Sequence, residues 1–236
     1  MELRYWINKE KIDWIGLAIN PHACEILLNN RYEIDKFYTS KNPNNIKVIE
    51  EYPNSINWEG LSQNPYAIHI LEKNIHNIDW FWLCTNPNGI RLIENNIDKV
   101  NIACEKGQGC WEALSRNPNA INLLMKYPDK IQWDELSKNP NAVHILNENL
   151  DKINWSYLSS NPNAVCILER NINKIDWEKL GGNPNAIHLI ENNINIYEQK
   201  INEKNKNTRG LYGKFNFENL NRNPNSIPFL TNNPKY

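Results

Sequence analysis

The chain has 236 residues, 40% of them hydrophobic, with a formal net charge of -1; that is enough apolar content for a sizeable core, and no global field draws the protein to nucleic acid or a membrane surface. No run approaches the roughly 18 to 20 apolar residues that span a bilayer and the start lacks a signal-peptide apolar segment, so a soluble, intracellular protein is expected. Cys24, Cys84, Cys104, Cys110 and Cys166 form an odd set without framework spacing, as expected where thiols stay reduced.

Residues 1–10 precede any Asn-Pro pair and supply Leu3, Tyr5, Trp6 and Ile7, a candidate cap over the apolar end of the next segment. From there the chain repeats itself. Asn-Pro pairs begin at Asn20, Asn42, Asn64, Asn86, Asn117, Asn139, Asn161, Asn183 and Asn223, at spacings of 22, 22, 22, 31, 22, 22, 22 and 40. Two of the eight spacings are therefore the 22-residue unit plus insertions of nine and eighteen. Tandem units of this length mark a stacked array, and repeats fill residues 11–195.

In the unit that starts at Asn161, asparagine before proline reads as an N-cap with Pro at the first helical position. The helix it opens, helix A, places Ala164, Val165, Ile167 and Leu168 on one stripe about 160° wide. A small residue recurs as Ala23, Ala67, Gly89, Ala120, Ala142, Ala164, Ala186 and Ser226, with Asn45 as the exception. After about ten residues helix A is expected to end near Asn171, whose side chain tolerates a left-handed C-cap; Pro53, Pro128 and Pro234 at related sites cannot continue a helix. Asp176 then caps a shorter helix B, with Trp177 and Leu180 directed inward. Tryptophan holds this site as Trp14, Trp58, Trp80, Trp111, Trp133, Trp155 and Trp177, with Phe217 in the last unit and Lys36 as the outlier. At fixed spacing beside Ile and Leu, the aromatic ladder is expected to be core rather than a stacking platform. One amphipathic helix and one short helix cannot bury their own apolar faces, so the units must stack. The expected fold is all-α: a single α-solenoid domain of nine helix-turn-short-helix repeats.

Both insertions fall between helix A and helix B. The first, a Gly-containing loop near 102–110, carries Cys104 and Cys110; two cysteines without a second ligand pair are too little for a zinc or redox assignment. The second, residues 196–214, carries Lys200, Lys204, Lys206, Arg209 and Lys214 against Glu198 and Glu203. It is mildly basic, and a solvated loop is favoured over a phosphate contact. Residues 215–236 form a last, incomplete unit in which Pro228 interrupts helix A.

The stretch Asn183-Pro184-Asn185-Ala186-Ile187-His188-Leu189-Ile190-Glu191, with Lys174-Ile175-Asp176-Trp177 before it, resembles the Asn-Pro tandem-repeat proteins encoded by giant DNA viruses of amoebae. The resemblance runs from about Lys11 to Asn233 and departs at Lys36, Thr39, Pro228 and the insertions. It implies a viral protein in the host cytoplasm or the virion and an AT-rich genome, in keeping with 44 asparagines. It carries no activity, cofactor or catalytic residue to transfer.

Function then rests on the outer face of helix A, where one variable side chain per unit is expected to be exposed. One row runs Glu25, Lys47, His69, Arg91, Asn122, His144, Cys166, His188; its neighbour runs Asn29, Glu51, Lys73, Asn95, Lys126, Glu148, Arg170, Asn192. A protein-binding scaffold, viral or host in its partner, fits such variation on a constant frame. Nucleic-acid binding by a helical repeat is the alternative, opposed by the lack of a cationic stripe. An enzyme is not expected: the five histidines form no metal-ligand spacing, and no phosphate-cradling glycine loop occurs.

Overall fold

The computed structural model describes residues 7–193, 219 and 222–226. Among these the protein is all-helical with no strand, and successive helices pack on their counterparts in the neighbouring repeat, as in a helical-repeat solenoid. No helix among the described residues is long and apolar enough to cross a membrane. They fall into two compact units, Met1–Lys130 and Ile131–Tyr236. Residues 1–6 of the expected cap, the basic insertion 196–214 with Lys200, Lys204, Lys206 and Arg209, Phe217, Pro228 and Pro234 lie outside the described residues.

Each repeat is built from three short pieces rather than two. Helix A is five or six residues long, as in Ile68–Glu72 and Val165–Arg170; in most described repeats a single 3-10 turn follows, as in Ile75–Asn77 and Ile172–Lys174; helix B is four to seven residues, as in Trp177–Leu180 and Cys110–Arg116. Isolated helices of this length are unstable in water, so packing between repeats must hold them. Helix B starts as expected: Asp13, Asp35, Asn57, Asp79, Asn154 and Asp176 each accept a backbone N–H of the first turn.

The start of helix A differs from the expectation. Its α-turns begin after the small residue, at Cys24, Ile68, Ile90, Val143 and Val165, and only at Pro43–Asn45 and Pro118–Ala120 does Asn-Pro open a 3-10 helix with proline first. The asparagine belongs instead to the end of the previous helix B. Asn64 sits at φ -78°, ψ 115° as its C-cap, the extended geometry that a following proline imposes. Nor is the C-cap of helix A left-handed: Asn171 has φ -134°, ψ 45°, and its amide donates back to the Ile167 carbonyl at 2.8 Å. Asn30, Asn74, Asn96 and Asn149 make the same i to i-4 bond, satisfying a carbonyl that a helix end would leave free.

The Asn-Pro asparagine ties each repeat to the one before it. Asn64 Nδ2 donates to the carbonyls of Ser40 (2.9 Å) and Asn42 (3.1 Å), and its Oδ1 accepts the N–H of Tyr66 (3.0 Å). Asn86 repeats this towards Ser62 and Asn64, Asn117 towards Cys84 and Asn86, and in the second unit Asn161 and Asn183 do so towards Ser137 and Asn139 and towards Ser159 and Asn161. All of these asparagines are buried. They can be, because the amide is used on both ends. The asparagine two residues later adds a second rung, as Asn88 to the Pro65 carbonyl and Asn163 to that of Pro140. A third link is serine: Ser62 Oγ accepts the Asp79 N–H (3.1 Å), and Ser159 Oγ that of Asp176 (3.0 Å).

Leucine and isoleucine fill the core, among them Leu71, Ile93, Leu146 and Leu168 from helix A and Leu61, Leu83, Leu136 and Leu158 from helix B; the recurrent Ala67, Ala142, Ala164 and Ala186 are buried beside them. The tryptophan ladder is not core. Only Trp111 is buried; Trp14, Trp58, Trp80, Trp133, Trp155 and Trp177 are half-buried. As the first residue of helix B, the tryptophan emerges at the edge of the stack, and ammonium groups from the segment between helices A and B lie over the ring: Lys152 at 4.6 Å from Trp133 and Lys174 at 4.7 Å from Trp155.

Candidate interaction face and thiol cluster

Helix A turns one stripe into the stack, so the opposite stripe faces solvent. Every position of the two expected rows is exposed, from Glu25, Lys47, His69 and Arg91 through His144 and His188, and from Lys73 and Lys126 through Arg170 and Asn192. Four of the predicted residues are engaged with the preceding repeat: Lys47 Nζ lies 3.2 Å from Glu25, Lys126 Nζ 2.9 Å from Glu94, and the Nε2 atoms of His69 and His188 lie 3.1 and 2.9 Å from Glu50 and Glu169. Such exposed pairs add little stability. Two of the five lysines and arginines in this set, Lys47 and Lys126, are thereby opposed by glutamate. Lys73, Arg91, His144 and Arg170 are exposed without an ion-pair partner among the described residues.

The first insertion is a helix and not a loop. Ile97–Glu105 runs nine residues where most of the other described repeats have a 3-10 turn, and only Lys106–Gly109 remains irregular, with Gly107 at φ 83°. Val100 and Ala103 are its buried face. It covers Trp111, whose indole N–H donates to Asn101 Oδ1 at 3.3 Å, and this is why Trp111 alone of the series is buried.

Cys104 therefore sits on a helix and Cys110 is the first residue of the helix Cys110–Arg116. A third cysteine, Cys84, which sequence spacing did not connect to them, joins the cluster from the helix Trp80–Thr85. The Cys110 thiol interacts electrostatically with those of both Cys84 and Cys104. Cys84 and Cys110 are fully buried and Cys104 is half-buried. The interaction with Cys110 and burial raise the Cys84 thiol well above the ordinary thiol range, burial raises Cys104, and the interaction with Cys84, with that of Cys104, lowers Cys110. The cluster's first negative charge is thus held at Cys110. Among the described residues no group of three or more His, Cys, Asp or Glu side chains converges as metal ligands.

A sequence-only signal for the cluster existed. Cys84 stands where Ser40, Ser62, Ser137 and Ser159 stand in other repeats, and Cys110 where Asp79, Asn154 and Asp176 stand. Both members of one serine-to-Asp/Asn junction are cysteine together. Compared with family models, curated proteins and solved structures, the chain matches none.

Proposed function

We propose that this chain is a non-catalytic repeat scaffold that binds a protein partner through the outer face of helix A. One observation carries the reading: the frame positions repeat, while the exposed rows change from unit to unit among Glu, Lys, His, Arg, Asn and Cys. A frame held by backbone-directed asparagine bonds leaves those rows free to vary without cost to the fold. The ion pairs of Lys47 and Lys126 favour a protein partner over a phosphate backbone, because part of the positive charge is already neutralised by glutamate. The resemblance to Asn-Pro repeat proteins of giant viruses belongs to the same proposal, with the host cytoplasm or the virion as the place of action.

A triple variant, Lys73→Glu, Arg91→Glu and Arg170→Glu, tests it. Against the wild-type chain in lysate of infected amoebae, the triple variant is expected to lose its specific protein partners while melting at the same temperature. An unchanged partner set removes this face from consideration, and nanomolar, salt-steep binding of RNA makes nucleic acid the ligand instead.

A further inference from the structure

We infer that Cys104 and Cys110 are a built thiol pair that closes to a reversible disulfide by exchange with a small-molecule disulfide admitted beside Cys104. Three independent observations meet here. At this junction the Ser-to-Asp/Asn link of other repeats, seen as Ser62 to Asp79 and Ser159 to Asp176, is replaced on both sides by cysteine, Cys84 and Cys110. The third thiol, Cys104, comes from a helix that the other described repeats lack, and the helices bearing the three cysteines pack on one another. Cys104 also opens into a cleft of about 400 Å³ that it shares with Asn101, Glu105, Trp111 and Lys130, of a size that takes small molecules. Cys84 and Cys110 are closed to solvent. Access is thus confined to Cys104, on a helix packed against the one that bears Cys110.

The exchange balances without a metal or an enzyme. Cys104 Sγ, its proton released to solvent through the cleft, attacks one sulfur of the external disulfide, and the first external thiolate leaves. Cys110 Sγ, giving up its own proton to the departing thiolate, then attacks Cys104 Sγ and expels the second external group as a thiolate, which takes up the proton that Cys104 released. Two protein thiols are oxidised and one external disulfide is reduced to two thiols. Gly107 and Gly109 lie in the short link between the two cysteines, where backbone freedom lets the sulfurs reach bonding distance. The bond would tie the insertion helix to helix B of the same repeat and leave Cys84 a free thiol.

The test is incubation of the full chain with oxidised glutathione, quenching with N-ethylmaleimide, and tryptic mass spectrometry. Trypsin cleaves after Lys99, Lys106 and Arg116, so Cys104 and Cys110 fall on separate peptides and the crosslink is assignable. The expected product is a Cys104–Cys110 linkage that dithiothreitol reverses, with Cys84 still alkylated after denaturation. Cys110→Ser, or Cys110→Ala if the serine does not fold, traps a stable glutathione adduct on Cys104; Cys104→Ser gives neither adduct nor crosslink at this site. Exposed Cys166 reports glutathionylation of an ordinary thiol in the same sample. A Cys84–Cys110 crosslink, a crosslink formed only in urea, or a native chain in which Cys104 carries glutathione without resolving would each overturn the inference.

Discussion

The side-chain amide of Asn64 donates to the backbone carbonyl of Asn42, 22 residues earlier, at 3.1 Å, with both residues buried. This bond crosses from one repeat to the next, and its recurrence makes asparagine the residue that sets the register of the stack. Alanine at Asn86 strands the Ser62 and Asn64 carbonyls and the Asn88 N–H; unmet buried groups cost about 1 to 3 kcal/mol each, partly recovered by relaxation. Asn86→Ala is therefore expected to destabilise by about 3 kcal/mol in urea melts. Asn88→Ala removes only an exposed rung and should cost under about 1 kcal/mol. Equal losses would contradict the role of the buried ladder.

The tryptophans separate in the same assay. Trp111 is buried against Tyr127 with ring centres 5.4 Å apart, so Trp111→Ala falls in the range of about 3 to 5 kcal/mol for an emptied aromatic site. Trp155 is half-buried under Lys174, and Trp155→Ala should cost clearly less, about 1 to 2 kcal/mol. His144→Ala, on the exposed row, should stay within about 0.5 kcal/mol.

Thr39 and Asn45 are a compensated pair. Two repeats on, their positions are Leu83 and Gly89, where a Cβ on the glycine would lie 2.8 Å from Leu83 Cδ1, so the two sites face each other. Thr39 is smaller than the usual leucine and Asn45 larger than the usual alanine, and both leave a buried oxygen, Thr39 Oγ1 and Asn45 Oδ1, without a hydrogen bond. Thr39→Leu with Asn45→Ala should stabilise by about 1 to 3 kcal/mol. Thr39→Leu alone should not, because leucine would overpack against Asn45. The double-mutant cycle reads the coupling directly.

Gly60 lets two helices B approach closely. A Cβ there would lie 2.5 Å from the Phe37 carbonyl oxygen, in the helix Lys36–Lys41 of the preceding repeat. Backbone cannot swing aside as a side chain can, so Gly60→Ala is expected to cost about 1 to 3 kcal/mol despite alanine's better helix propensity. A neutral or stabilising result in thermal melts would show that the helices separate freely.

Thiol reactivity should rank by access and ionisation. Exposed Cys166 is expected to react first with iodoacetamide and buried Cys84 last. Burial raises the Cys24 and Cys104 thiols, so less thiolate is present at neutral pH, and their alkylation rates should still be climbing above about pH 9. Peptide-resolved rates at several pH values check the order.

Whether a feature is legible in the sequence depends on whether its physical cause lies within one repeat or between repeats. The 22-residue period, the all-helical class, the Asp and Asn caps of helix B, the inward Ile167 and Leu168 and the outward His69, Arg91 and Arg170 arise from residue type and helical geometry within one unit, and the sequence carries that information locally. Partnership across units was decided only by the stack. An asparagine before proline satisfies a local cap pattern equally well at either helix end, and only the carbonyls of the preceding repeat assign Asn64 to the close of helix B and to the register bond. Trp155 and Trp111 are the same residue at the same register, yet one is half-exposed and the other buried, because burial depends on what packs above: a lysine stem in one case, the insertion helix Ile97–Glu105 in the other. The junction of Cys84 with Cys104 and Cys110 has the same origin: the chain places the latter two 20 and 26 residues after Cys84, and the mutual packing of three helices makes them neighbours.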